Sequence, residues 1–139
     1  MPSVINVVKV YTDGACPGNT GPGAIGVVVL DENNQELAAC KECVGQTTNN
    51  RAEYRALIRG LELAAGVCRR KLICFSDSEL MVNQLNGVYK IKKPELLKLY
   101  LDVKSREQIF DEVLYQYTPR TNRYLGKADK LAKEALAGT

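Results

Sequence analysis

Apolar positions along the chain follow one period at first and another later. "VINVVKVYTD", residues 4–13, is rich in Val and Ile and reads as a strand. "GACPGNTGPG" (14–23) breaks it with glycines and prolines. "AIGVVVLD" (24–31) reads as a second strand, "DENN" as a turn, and "QELAACKECVG" (35–45) as a third strand. Short connections make these three an antiparallel meander. From Asn50 the period lengthens. "NRAEYRALIRGLELAAGVC" sets Ala52, Ala56, Leu57, Leu61, Ala64 and Ala65 on one helical face. "KLICFSD" (71–77) is a short apolar strand, and "SELMVNQLNG" a short helix stopped at Asn86-Gly87. "KPELLKLYLDVKSREQIF" is a further helix with Pro94 near its first turn. "DEVLYQYTP" is the last strand, and "RYLGKADKLAKEALAG" closes the chain as a helix.

The order is β-β-β-α-β-α-α-β-α. Three hairpin-linked strands followed by two crossover-linked parallel ones predict an α/β fold, a five-stranded mixed sheet flanked by helices. At 139 residues this is one domain, 1–139. Apolar runs such as "GAIGVVVL" fall far below the ~18–20 residues of a membrane span. "MPSVINVVKVY" lacks the pattern of a signal peptide, so a cytoplasmic, monomeric protein without membrane attachment is expected. The net charge of +3 changes little, though "YKIKKPELLKLY" gathers Lys90, Lys92, Lys93 and Lys98. Five cysteines are expected as reduced thiols. Cys40 and Cys43 form a CxxC, but i and i+3 in a strand face opposite ways, which suits neither a disulfide nor one metal. The chain has no histidine and no second CxxC to complete a zinc site.

Chemistry gathers at the ends of elements. The C-terminal ends of parallel strands share one edge of a sheet, where sites collect. The first strand ends at Asp13 and the fourth at Asp77, so neighbouring parallel strands would set these acids side by side. Glu53 starts the first long helix, and Asp129 lies early in the last. Each has a plain structural reading. Asp13-Gly14 is a turn dipeptide, Glu53 pairs with Asn50 as in a capping box, Asp77 could cap the helix near Ser78, and Asp129 could pair with Lys133. The set is what asks for more. Carboxylates a few ångströms apart raise one another's pKa, and a hard divalent cation, Mg²⁺ or Mn²⁺, relieves that repulsion.

With these residues in place, the chain resembles type 1 ribonuclease H. "YTDGACPGNTGPGAIGVVV", "TTNNRAEYRALIRGLE", "FSDSELMVNQL" and "ADKLAKEA" stand in that family's order and approximate spacing, over residues 6–137. The resemblance implies the ribonuclease H fold, in agreement with the pattern above. It implies hydrolysis of the RNA strand of an RNA/DNA hybrid by two Mg²⁺ ions, with Mn²⁺ as a substitute. Asp13 would bridge both ions, Glu53 and Asp77 would complete one site, and Asp129 would help hold the other. One ion would lower the pKa of the attacking water and the other stabilise the leaving 3′ oxygen, leaving 5′-phosphate and 3′-hydroxyl ends. Asn49 and Asn50 resemble the pair that reads base edges and sugars in the wide minor groove, where the 2′-hydroxyl separates RNA from DNA. Thr48 and Asn19 resemble a pocket for a DNA-strand phosphate. Gly14, Ala15 and Cys16 lie where backbone approaches the RNA.

Several positions depart from the family pattern. Arg120, in "TPRTN", stands closest to the family's loop histidine; it cannot act as a base but could hold a phosphate or stabilise charge. Leu125 takes the place of a common asparagine, within a segment 120–126 read as loop. Glu79 replaces a common glutamine at a substrate contact. The long basic handle is missing, which leaves Lys90, Lys92 and Lys93 as a reduced patch for the DNA backbone. The expected role is removal of primers or stray ribonucleotide tracts. Two alternatives stand beside it: a broader duplex nuclease that also cuts double-stranded RNA, and a catalytically silent hybrid-binding module.

Overall fold

The computed structural model describes residues 5–138. Val4, counted in the first strand's apolar run, lies outside the described residues. Five strands form one sheet: β1 (Val7–Ala15), β2 (Gly21–Asp31), β3 (Glu36–Thr47), β4 (Lys71–Ser76) and β5 (Glu112–Tyr117), in spatial order β3-β2-β1-β4-β5. β1 and β2 pair antiparallel, as do β2 and β3, while β4 runs parallel to both β1 and β5. The expected mixed sheet is therefore present. Helices α1 (Asn49–Ala65), α2 (Glu79–Leu85), α3 (Pro94–Glu107) and α4 (Arg123–Ala137) complete the fold. Among the described residues no helix is long and apolar enough to cross a membrane.

The core lies mainly under α1. Val8 and Val10 of β1, Val27 and Val29 of β2 and Leu72 of β4 meet Leu57 and Leu61 of α1, with Val103 of α3 beyond. These positions are at most 1% exposed, so truncating one of them, as in Leu57→Ala, is expected to cost about 2–5 kcal/mol. Ala65, expected on the core face, is half-buried and packs against this cluster. Tyr54 and Gly60 are buried instead. Gly60 is there for closeness: a Cβ would stand 2.6 Å from Val10 Cγ1. On the opposite face Tyr11, Val28 and Leu30 meet Leu125 and Ala128 of α4.

The glycine-proline segment 14–23 is shorter as a loop than its composition predicts. β1 continues to Ala15 and β2 starts at Gly21, because the antiparallel ladder takes up the backbone groups of Gly14 and Ala15. Pro22 is accommodated beside a bulge at Gly23/Ala24. The segment 120–126 also differs. Asn122 caps α4 by accepting from the N–H groups of Tyr124 and Leu125, so the helix starts at Arg123. Leu125 is therefore a fully buried residue of the first turn of α4, in keeping with the closing helix read from Arg123 and not with a loop reaching residue 126. Cys40 packs on the α1 side of the sheet, while Cys43 is exposed with Sγ 3.1 Å from the Ala135 carbonyl of α4. The CxxC thiols do lie on opposite faces.

Candidate active site

Strand register builds the first half of the site. Tyr11 pairs with Phe75 across the parallel β1–β4 ladder, and their rings stack with centroids 4.5 Å apart. Two residues further along each strand, on the same side of the sheet by the period-2 rule, come Asp13 and Asp77. Asp77 has just left β4. It does not cap α2, since Ser78 accepts the Met81 N–H in that role.

Glu53 arrives from the other side. Thr48, not Asn50, caps α1, accepting the Arg51 N–H at 3.3 Å. The capping-box reading of Glu53 therefore fails, and its carboxylate points away to accept the Gly14 N–H at 2.7 Å. That contact needs glycine: a Cβ on residue 14 would lie 2.4 Å from the Ala52 carbonyl carbon. Asp13, Glu53 and Asp77 each offer an oxygen, and the three oxygens lie within 4.8 Å of one another.

Asp129 is brought by α4. Gly26 is the β2 partner of Asp13, and a Cβ there would stand 1.9 Å from the Ala128 carbonyl oxygen. A bare backbone at position 26 thus lets α4 lie against the sheet and hold Asp129 at the cleft. An isolated glycine inside an apolar strand is a known mark of close backbone approach. "AIGVVV" carried that signal, and only the fold says what approaches. Asp129 stands outside the three-acid group. Lys133 Nζ lies 2.9 Å from its Oδ2, the i,i+4 pair anticipated from spacing.

Arg120 crosses the mouth of the site. It sits in a tight turn closed by the Asn122 N–H donating to the Pro119 carbonyl at 2.9 Å, directly after β5. Its Nε lies 3.0 Å from Asp77 Oδ2, with the two terminal nitrogens 3.9 Å from Asp129 Oδ1 and 4.0 Å from Asp13 Oδ1.

The electrostatics follow from burial. Asp13 is 1% exposed and neither carboxylate oxygen has a hydrogen-bond partner among the described residues. Burial, then the charge of Glu53 and the nearness of Asp129 and Asp77, push its pKa up to about 9. Burial likewise pushes Glu53 up to about 8, against the bond from Gly14. Asp129 goes the other way: burial opposes the shift, but Asp13, Lys133 and Arg120 together hold it below the ordinary carboxylate value. An orphaned buried carboxylate among two more is a donor set of hard oxygens, and it fits a divalent cation.

The remaining predicted residues divide into two groups. Gly14, Ala15, Cys16 and Asn49 line a cleft of 410 Å³ together with Asp13, Glu53, Arg120 and Asp129. Cys16 donates its N–H to Asn49 Oδ1 at 3.0 Å and its buried thiol to the Thr47 carbonyl. Asn19, at φ 64°, accepts the Asn49 N–H at 3.1 Å through Oδ1. The loop after β1 is thereby tied to the start of α1. Asn50 is half-buried on the first turn of α1, and Glu79 is exposed on the first turn of α2; neither lines the cleft. Pattern reading missed Gly26, as well as the buried 2.6 Å bond from Tyr54 Oη to Gln84 Oε1 that fixes α2 against α1. No local signal marks that second pair.

Residues 11–135 match the family described as reverse transcriptase-like. A "Ribonuclease H" of Thermoanaerobacter sp. is 32% identical, over 98% of this chain and 94% of its own length. The "Bifunctional protein Rv2228c" of Mycobacterium tuberculosis is 39% identical over 93% of this chain, which spans 35% of that longer protein. Among solved structures, RNase H1 from the halophilic archaeon Halobacterium salinarum superimposes with a TM-score of 0.91 at 34% identity, covering 96% and 99% of the two chains. LC11-RNase H1, solved in complex with an RNA/DNA hybrid, gives 0.87 at 35% identity, covering 94% and 97%. The fold is that of the ribonucleases H. The chain belongs to the type 1 ribonuclease H family.

Proposed function

We propose that this chain is a divalent-metal-dependent ribonuclease H that hydrolyses the RNA strand of RNA/DNA hybrids. The observation that carries the reading is the buried, unpartnered carboxylate of Asp13 between Glu53 and Asp77. Family membership and the hybrid bound to LC11-RNase H1 support it. Asp13, Glu53 and Asp77 would hold one ion, and Asp13 with Asp129 a second; Mg²⁺ suits these oxygens and Mn²⁺ can replace it. When bound, such ions supply an activated water and stabilise charge at the leaving 3′ oxygen, which corresponds to 5′-phosphate and 3′-hydroxyl products.

The chain's own residues position the duplex and the acids. The Gly14 N–H fixes the Glu53 carboxylate. Asn49 spends its side-chain oxygen on Cys16, which leaves its NH₂ free to donate to a minor-groove acceptor. The Thr48 oxygen accepts from Arg51, so its hydroxyl proton remains available to a phosphate. Asn19, Asn50, Ala15 and Glu79 would complete the contact surface, and Arg120 would face the scissile phosphate. Without an imidazole, proton transfer falls to water and substrate oxygens. A monomer acting in the cytoplasm is part of this reading.

Cleavage of a labelled hybrid tests it, alongside single-stranded RNA, double-stranded RNA and double-stranded DNA, with Mg²⁺ or with chelator. Hybrid cutting that needs Mg²⁺ and yields 5′-phosphates is expected. Cutting of double-stranded RNA at a comparable rate would establish the broader duplex nuclease. Hybrid binding without cutting under either metal would leave only a binding module.

A further inference from the structure

We propose that Arg120 is a built-in counter-ion that a divalent cation must displace, and that this guanidinium sets the metal affinity of the acid cluster. The inference rests on the reading of that cluster as a metal centre.

One guanidinium divides itself among acids from three separate elements. Each of its three nitrogens faces a different carboxylate: Asp77 at 3.0 Å, Asp129 at 3.9 Å and Asp13 at 4.0 Å. Its charge is permanent, so it offsets the cluster at any working pH. It does not satisfy the cluster. At 4.0 Å it is outside hydrogen-bonding range of Asp13, whose two oxygens stay without partners. Neutralisation is thus present while coordination is missing, and that is the difference between a counter-ion and a ligand-binding cation. The side chain is also built to leave. It is 58% exposed, so the guanidinium can swing into water while its backbone stays in the turn after β5. Asp77 contributes an oxygen to the three-acid group while accepting from Arg120, so an arriving ion and the guanidinium compete for one carboxylate. Lys133 cannot take this part, because it reaches Asp129 alone among the four acids.

Two measurements on the whole chain test this, neither of them activity. Mg²⁺ binding is titrated calorimetrically for wild type, Arg120→Gln and Arg123→Gln. Arg123 carries the same charge three residues away but faces the Tyr124 ring rather than the acids. Melting temperatures are taken in chelator and in saturating Mg²⁺. Arg120→Gln is expected to bind Mg²⁺ about tenfold more tightly, the scale of losing three partly exposed charge contacts. Arg123→Gln should change affinity less than about twofold. Arg120→Gln should also melt lower than wild type in chelator and no lower in Mg²⁺. Unchanged or weaker Mg²⁺ binding in Arg120→Gln would overturn the proposal, as would an equal gain in Arg123→Gln, which would make the effect general charge. If no variant binds Mg²⁺ or Mn²⁺ at millimolar concentration, the metal-centre reading itself falls and this inference with it.

Discussion

Asp13 and Asp129 face the same cleft and are held by opposite means. Asp13 lies two residues before the end of β1, 1% exposed, with no hydrogen bond to either oxygen. Asp129 rides an amphipathic helix, paired with Lys133 and close to Arg120. Desolvation dominates the first and partners dominate the second, so one pKa rises and the other falls. The lesson is that a carboxylate's value to a site lies in what it lacks. A salt-bridged acid is satisfied by its own protein, whereas an orphaned one stores an unmet demand that a cation can fill.

Asp13→Asn tests the contrast most severely. It should abolish hybrid cleavage, on the order of a thousandfold or more, while raising the metal-free melting temperature above neutral pH, because asparagine is neutral there without taking up the proton that burial forces on Asp13. Equal activity, or lower stability, would break the distinction between the two acids. Gly26→Ala attacks the packing that unites them. Its methyl group meets the Ala128 carbonyl, so α4 must shift and carry Asp129 with it. A loss of about 1–3 kcal/mol in denaturant unfolding is expected, together with reduced cleavage.

The pH dependence of metal-free stability sharpens the comparison. Asp13 and Glu53 rise to about 9 and about 8 in the folded state, against ordinary values of 3.8 and 4.5. Between these limits the folded protein binds more protons than the unfolded chain, so their contribution is present at low pH and is lost as pH climbs towards 9. The Asp129 contribution has the opposite sign: it is present above the ordinary carboxylate value and disappears on acidification. Melting in chelator should therefore weaken steadily from about pH 5 to about pH 9. Mg²⁺ should flatten that decline, and so should Asp13→Asn. Stability that rises across the same range would contradict the assignment. Lys133→Ala is the smallest change. Lys133 is largely exposed although Asp129 is not, and up to about 1 kcal/mol should be lost in thermal unfolding.

Much of this was legible because strand and helix periods are local. Val/Ile runs and the change of period at Asn50 place every element. The convergence of Asp13 with Asp77 follows once two strands are taken as parallel neighbours. What local pattern could not supply was contact between distant segments. The span of β1 and β2 into the glycine-rich stretch depends on ladder pairing, which composition does not reveal. Residues 123–125 fitted both the closing helix and the loop 120–126, and the Asn122 cap settles them as the first turn of α4. Thr48 took the capping role that spacing offered to Asn50, and so released Glu53 towards Gly14. The clasp of Arg120 on three acids joins a turn after β5 to β1, the end of β4 and α4, a meeting that only the sheet order creates.

The central claim is that Asp13, Glu53 and Asp77 form a divalent cation centre. Anomalous diffraction from crystals soaked in Mn²⁺ tests it most directly. A strong anomalous peak is expected within coordination distance of oxygens from all three acids, absent in Asp13→Asn. A soaked crystal with manganese bound elsewhere, or with this cluster empty and Arg120 still in place, would contradict it.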